Sequence, residues 1–404
     1  MQVREIHPDG FMRFVSATRS TIKSRLVRAI RLLPRDDWLV AGWVSVTSAL
    51  LFVFGTKSYQ LLEDEPISGV SGWLELWSRW DSDQYLQLAK FGYITNSEWK
   101  AWLYPFFPWC VRLVAWVAGN YVVSALIVSG TALLIGAILF RRLVSIDFAS
   151  ETALRSAWFF LIFPTAYFLH VPYTESLFFV LIIGSLLAGR RQCWWLAGML
   201  GALSWMTRAN GIILLPTLAI EAAHQFWTTR RWNWRWLWIA LVPVGFGVYL
   251  LLNWKISADP FAFLRSRKAL FDISAAWPWV GVRGNLTHLN WRSPAEAEMI
   301  GTQELYFTVL GLICVIAAWL KLRPAYPVWM TGSWLLVVSA TFIESMPRYM
   351  LTMFPIFILF ALVASIASGM RSSRFGLCYS WRYSSASLFA AGGRFEPRMD
   401  TNRH

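Results

Sequence analysis

Two carboxylates two residues apart, in Arg79-Trp80-Asp81-Ser82-Asp83-Gln84-Tyr85, are the side chains of this chain best placed to do chemistry. They stand between the first apolar run of the sequence and the next unambiguous one. The stretch continues to Tyr93 and closes on Tyr104-Pro105-Phe106-Phe107-Pro108. A carboxylate beside lipid is costly unless it is solvated, paired or used. In a water-poor pocket it can take a proton from an attacking hydroxyl. The bland alternative is that any loop outside a membrane carries acids.

Other polar groups in otherwise apolar surroundings join these two. They are Glu175 in Pro172-Tyr173-Thr174-Glu175-Ser176, Arg208 and Asn210 in Thr207-Arg208-Ala209-Asn210-Gly211, and Glu344 with Arg348 in Glu344-Ser345-Met346-Pro347-Arg348-Tyr349. A basic run, Arg265, Arg267 and Lys268, lies in the stretch 254–303. Arginines at a membrane border can hold a phosphate in two-point contact and stabilise charge that develops as it leaves. Trp80, Tyr85, Tyr104 and Tyr349 are aromatic candidates for lining a substrate. Each group has a structural alternative. Glu175 caps the helix after it, Asn210-Gly211 is a good turn beside a snorkelling Arg208, and Glu344 and Arg348 form an i,i+4 ion pair that Pro347 disfavours. Arg265–Lys268 binds lipid phosphates.

The elements that must position these groups are membrane helices. Of 404 residues 56% are hydrophobic and only 15% charged, with 26 Trp and 28 Phe. Apolar runs near membrane length recur throughout. The expected spans are 38–56, 121–140, 155–171, 173–189, 193–207, 211–223, 236–253, 304–320, 325–342 and 349–367, about ten in all. Residues 104–119 are apolar but short, open on two prolines and carry Arg112, which at a bilayer midplane costs at least about 2.5 kcal/mol. They are laid in the outer interface, so that 57–120 becomes a first outer loop and 254–303 a second. Alternation then brings Asp81, Glu175, Arg208 and Arg348 to one face. It also places nearly all of the net charge of +14 on the other, as the positive-inside rule requires. Residues 1–37 read as a basic cytoplasmic leader with an in-plane amphipathic helix from Phe11 to Leu33, not a signal peptide. Residues 368–404 read as a basic cytoplasmic tail.

The basic balance therefore reflects topology, and no nucleic-acid-binding pattern accompanies it. The four cysteines form no CxxC pair, and the five histidines no metal-binding spacing.

Trp80-Asp81-Ser82, Tyr85-Leu86, Ala89, Gly92-Tyr93 and Tyr104-Pro105-Phe106-Phe107-Pro108 resemble the first outer loop of PIG-V-type mannosyltransferases. Pro164, Tyr173-Thr174-Glu175-Ser176-Leu177-Phe178, Thr207-Arg208-Ala209-Asn210-Gly211 and Pro347-Arg348-Tyr349 resemble later blocks of the same family in the same order. The resemblance covers roughly residues 75–360. It implies a GT-C-type helical bundle and an inverting glycosyltransferase. Such an enzyme moves mannose from a dolichyl- or polyprenyl-phosphate donor to a hydroxyl of a glycolipid, of the glycosylphosphatidylinositol kind or related, on the outer or lumenal face. By that resemblance Asp81 is the base and Asp83 the second catalytic candidate in a formal DxD. Arg208 and Arg348 take the donor phosphate, and Glu175 and Asn210 shape the acceptor or sugar pocket. No cofactor is required, a divalent cation being the weaker alternative, and a partner subunit stays open. The compact loops favour a prokaryotic plasma membrane over the endoplasmic reticulum. Two departures stand out: a polar tail from about Gly369, and Ala209 where relatives often carry Ser. The rival classes are a secondary transporter or lipid flippase with an outward charged gate, and a non-enzymatic assembly subunit. Against the transporter, the charges sit at span ends and no repeat relates the two halves.

Overall fold

The run Glu175–Arg190 is apolar on every side, so no face of a helix made from it can be spared for water. In the computed structural model it is the centre of the molecule. The structure describes residues 34–62, 66–93, 100–289 and 297–367. The expected leader up to residue 33 and the tail from 368 lie outside them. The helices, in chain order, are α1 (Arg35–Leu62), α2 (Gly69–Leu76), α3 (Asp81–Phe91), α4 (Phe106–Ala118), α5 (Tyr121–Val144), α6 (Ser150–Leu161), α7 (Tyr167–His170), α8 (Glu175–Arg190), α9 (Trp194–Trp205), α10 (Leu214–Thr229), α11 (Val242–Ser257), α12 (Ala262–Phe271), α13 (Pro278–His288), α14 (Glu304–Lys321), α15 (Ala325–Val338), α16 (Met346–Met350) and α17 (Pro355–Ala367). In α8 every residue but Val180 and Arg190 is buried, with α5 and α9 packed most extensively against it.

Among the described residues four helices are long and apolar enough to cross a membrane: Arg35–Leu62, Tyr121–Val144, Trp234–Ser257 and Gly301–Lys321. Shorter apolar helices accompany them. α14 shows why these are lipid-facing and not merely core. It buries Phe307, Gly311, Cys314 and Ala318 yet exposes Val309, Ile313, Ile316 and Leu320, so both of its faces are apolar. This is an integral, multi-pass, all-helical membrane protein.

Polar pairings fix which helix ends lie together. Asp36 and Asp37 at the start of α1 meet Arg141 and Arg142 near the end of α5. Asp147, after α5, meets Arg190 at the end of α8. Glu221 of α10 meets Arg323 after α14. At the opposite end of α8, some 24 Å away at 1.5 Å per residue, Glu175 meets Arg208 and Arg348.

Three details differ from the expectations. The span expected over 155–171 is interrupted: α6 stops at Leu161, and Phe163-Pro164 turns the chain before α7, because Pro164 has no N–H to continue a helix. The second outer loop, 254–303, is largely helical, holding α12, α13 and a π-helical turn at Ala297–Gln303. Residues 104–119 form α4, about 20 Å long and too short to span alone. Arg112 on it is used locally, its Nε donating to the Ala89 carbonyl at 2.6 Å and so closing the end of α3.

Candidate functional site

α3 buries Ser82, Tyr85, Leu86 and Ala89, a helical stripe that lies against α4 and α5. That packing aims the start of the helix, with Asp81, toward the Glu175 end of α8. The residue before it, Trp80, is turned sharply, with φ 57° and ψ −128°. This positive φ suits glycine, and for a bulky residue costs about 1–3 kcal/mol. The turn is braced by the Tyr173 hydroxyl, which donates to the Arg79 carbonyl at 3.2 Å. The Trp80 ring is left 48% exposed.

Glu175 opens α8, where the helix dipole favours an anion, and its side chain is completely buried. One oxygen, Oε1, accepts from both arginines: from Arg208 Nη1 at 2.6 Å and from Arg348 Nε. Arg348 reaches further, its Nη1 donating to Asp81 Oδ2 at 2.7 Å. Asp81, Arg348, Glu175 and Arg208 thus form one continuous chain of two negative and two positive groups. Arg208 also donates to Thr174 Oγ1 at 2.9 Å and lies over the Tyr349 ring, 4.9 Å from its centroid. Arg348 lies against Tyr173 and Phe168, 5.0 Å and 5.5 Å from their centroids. Charges buried this deeply persist only when paired and hydrogen-bonded.

Local backbone explains how the two arginines arrive. After α9 the chain turns tightly through Asn210-Gly211, where a Cβ on Gly211 would lie 2.4 Å from the Trp205 backbone. Only glycine permits that approach. At the other arginine, Glu304 accepts from the Ser345 and Met346 amides, both at 2.7 Å, and Thr165 Oγ1 donates to the Pro347 carbonyl at 2.8 Å. These bonds hold α16, and Arg348 with it, against the site. The helix pair of Glu344 with Arg348, the structural alternative that Pro347 disfavoured, does not form. Ser345 has a φ of 62°, so α16 starts only after it, and Arg348 turns to Asp81 and Glu175 instead.

The remaining candidates separate into two groups. Tyr85 is buried edge-on to Phe107, and burial, reinforced by the Asp81 charge, pushes its phenol well up, keeping it a proton donor. Tyr104 is stacked on Tyr249, with centroids 4.2 Å apart, and within electrostatic reach of Arg208, Arg267 and Tyr349. Asn210 is 1% exposed, and its Nδ2 meets no partner. Glu175 Oε2 is likewise buried and without a partner. Asp83 does not join the cluster. Two residues along a helix are about 200° apart, and Asp83 is exposed, accepting from Gln87 Nε2 at 2.7 Å. The formal DxD is therefore not a two-carboxylate cradle. Among the described residues no three His, Cys, Asp or Glu side chains gather as a metal-ligand set.

Glu304 and Tyr249 were not singled out from the sequence, and Tyr173 and Thr174 entered only as neighbours of Glu175 in its motif. Glu304 and Tyr249 did carry a signal, as polar groups at the edge of, or inside, apolar runs.

Residues 65–235 match the family model described as Mannosyltransferase (PIG-V), a stretch that carries Asp81, Glu175, Arg208 and Asn210. No curated protein matches the chain.

Proposed function

We propose, from the match of residues 65–235 to the PIG-V mannosyltransferase family, that mannose is transferred at the Asp81–Arg348–Glu175–Arg208 cluster. The donor is a dolichyl- or polyprenyl-phosphate mannose and the acceptor a glycolipid hydroxyl. Four long and several shorter apolar helices support a GT-C-type bundle of about ten spans around it. The site faces outward or to the lumen, both termini face the cytoplasm, and a prokaryotic plasma membrane is the setting the compact loops favour. The reaction is written without a cofactor.

The observation that carries this reading is the double engagement of Arg348. Its Nε and Nη1 are held by Glu175 and Asp81, leaving Nη2 for a phosphate oxygen. Arg208 is engaged through Nη1, so its Nη2 is left in the same way. In transfer, the acceptor oxygen attacks the anomeric carbon as the bond from that carbon to the phosphate oxygen breaks. The electron pair leaves with the phosphate, where the guanidinium groups stabilise it. The acceptor proton passes to Asp81. One base and in-line displacement invert the anomeric centre, as in inverting glycoside hydrolysis.

Arg348 also explains how Asp81 is held before substrate arrives. A donor phosphate drawing on Arg348 competes with that contact and leaves Asp81 Oδ2 for the acceptor hydroxyl. The test is to incubate purified protein with labelled polyprenyl-phosphate mannose and candidate acceptor lipids. Labelled, anomerically inverted product supports the reading. A folded protein that transfers to no hydroxyl acceptor contradicts it.

A further inference from the structure

The Arg190 end of the bundle carries cations of two kinds. Arg190 and Arg323 are spoken for by Asp147 and Glu221. Arg191, Arg230, Arg231 and Arg235 are exposed, and among the described residues none of them enters an ion pair. No Asp or Glu occurs from residue 222 to residue 258, so nothing in the adjoining sequence neutralises them.

Of these cations Arg235 lines a cavity of about 370 Å³, together with Gln192, Cys193, Trp194, Trp195 and Trp238. Its walls are built, not incidental. Gln192 Oε1 accepts from Asn233 Nδ2 at 3.2 Å, joining the turn after α8 to the one before the 3-10 helix Trp234–Leu241. Gln192 Nε2 donates to Gln225 Oε1 at 2.6 Å. Asn233 in turn accepts from the Arg235 amide at 3.1 Å, fixing the backbone that carries that arginine. The floor is tight as well: a Cβ on Gly198 would lie 2.0 Å from the Trp238 carbonyl oxygen.

Of its walls Trp195 and Trp238 are exposed, as are Trp227, Trp232 and Trp234 in the adjoining sequence, the ring type that settles at the headgroup level of a bilayer. Leu237, Val244 and Leu251, seven residues apart along the long apolar segment Trp234–Ser257 that carries Arg235 and Trp238, are also exposed and make a track for an acyl chain. A guanidinium lining a polar pocket, aromatic walls and an apolar track on the same segment match a lipid whose headgroup carries a phosphate and net negative charge.

We propose that this cavity is a binding site for the headgroup of an anionic phospholipid, with its phosphate on Arg235 and its chain along α11. It lies at the far end of α8 from the transfer site and does not depend on how that site works.

The test uses the full-length protein purified in detergent, with phosphatidylglycerol or phosphatidylcholine titrated in and bound lipid counted by native mass spectrometry. Wild type retains one phosphatidylglycerol in preference to phosphatidylcholine. Arg235→Ala weakens that retention about fivefold, as expected for one surface cation, while Arg235→Lys keeps most of it. The thermal midpoint without added lipid confirms that both variants are folded. Inorganic phosphate at the lipid's concentration leaves retention unchanged. Equal retention of the two lipids, phosphatidylglycerol retention indifferent to Arg235→Ala, or displacement by inorganic phosphate would each overturn the assignment.

Discussion

The two ends of α8 are both held by arginines between carboxylates, yet they are built to different degrees of completion. At the Arg190 end both oxygens of Asp147 and of Glu221 are used. Asp147 accepts Arg190 Nη1 and Nη2, both at 2.7 Å, and the Tyr326 hydroxyl at 2.9 Å. Glu221 accepts Arg323 Nε and Nη2 at 2.8 Å and 2.9 Å, and Gln225 Nε2 at 2.8 Å. These are two-point, planar contacts that fix helix ends. At the Glu175 end one carboxylate oxygen serves two arginines, and the other serves none. Asn210 keeps an unused donor, and the turn before Asp81 is strained at Trp80. A closed network holds a fold, whereas one with unspent donors and acceptors has capacity for a ligand.

The comparison is sharpest where it separates stability from turnover. Arg348→Lys preserves charge but cannot span Asp81 and Glu175 with one planar group. It lowers transfer about 10²- to 10³-fold, the scale of losing one preorganised donor at developing charge, measured as kcat on protein matched for folding. Glu175→Gln and Glu221→Gln each break a buried ion pair and lower the thermal midpoint, by an amount corresponding to about 3–5 kcal/mol in the fully buried limit. Only Glu175→Gln also lowers kcat in the molecules that remain folded, by about ten- to a hundredfold, the usual result of losing a group that orients others. Equal effects on kcat at the two ends would break the distinction. Asn210→Ala removes a donor that no protein atom uses, so the midpoint barely moves while a substrate KM rises up to about tenfold.

The smallest expected effect is one of pH at the Arg190 end. Burial alone would raise the Asp147 carboxyl, but the hydrogen bonds and charge of Arg190 and the Tyr326 hydroxyl outweigh it and hold it below its ordinary value of 3.8. The folded state therefore holds the charged form better than the unfolded chain does. That contribution is fully present above 3.8 and is lost as pH falls through the lower folded value. Thermal midpoints measured down an acid series should drop less steeply in Asp147→Asn than in wild type.

Much of the site was legible in the sequence because membranes make polar residues conspicuous. Glu175, Arg208 and Arg348 stand out at the ends of apolar runs, and alternation of the spans brought them to one face with Asp81. What sequence could not supply was which charge meets which. Glu175 reads equally as a helix cap or a pocket residue, and only the structure places it between the two arginines. The i,i+4 spacing of Glu344 and Arg348 suggested a pair that the positive φ of Ser345 prevents. Asp83 stood as the second catalytic candidate while the stretch was taken as a loop. Once Asp81–Phe91 is a helix, the two carboxylates diverge. The break after Leu161 was signalled by Pro164, yet hydropathy averaged across it. The helices within 254–303 carry too many polar residues to register as spans and too little periodicity to register otherwise.

The measurement that bears most directly on the account is transfer of labelled mannose by purified Asp81→Asn beside wild type, at equal thermal midpoints and equal donor occupancy. Loss of the general base predicts turnover reduced about 10²- to 10⁴-fold with donor binding retained. Turnover within a few-fold of wild type would show that Asp81 is not the base and that the Glu175 end does its work by another route.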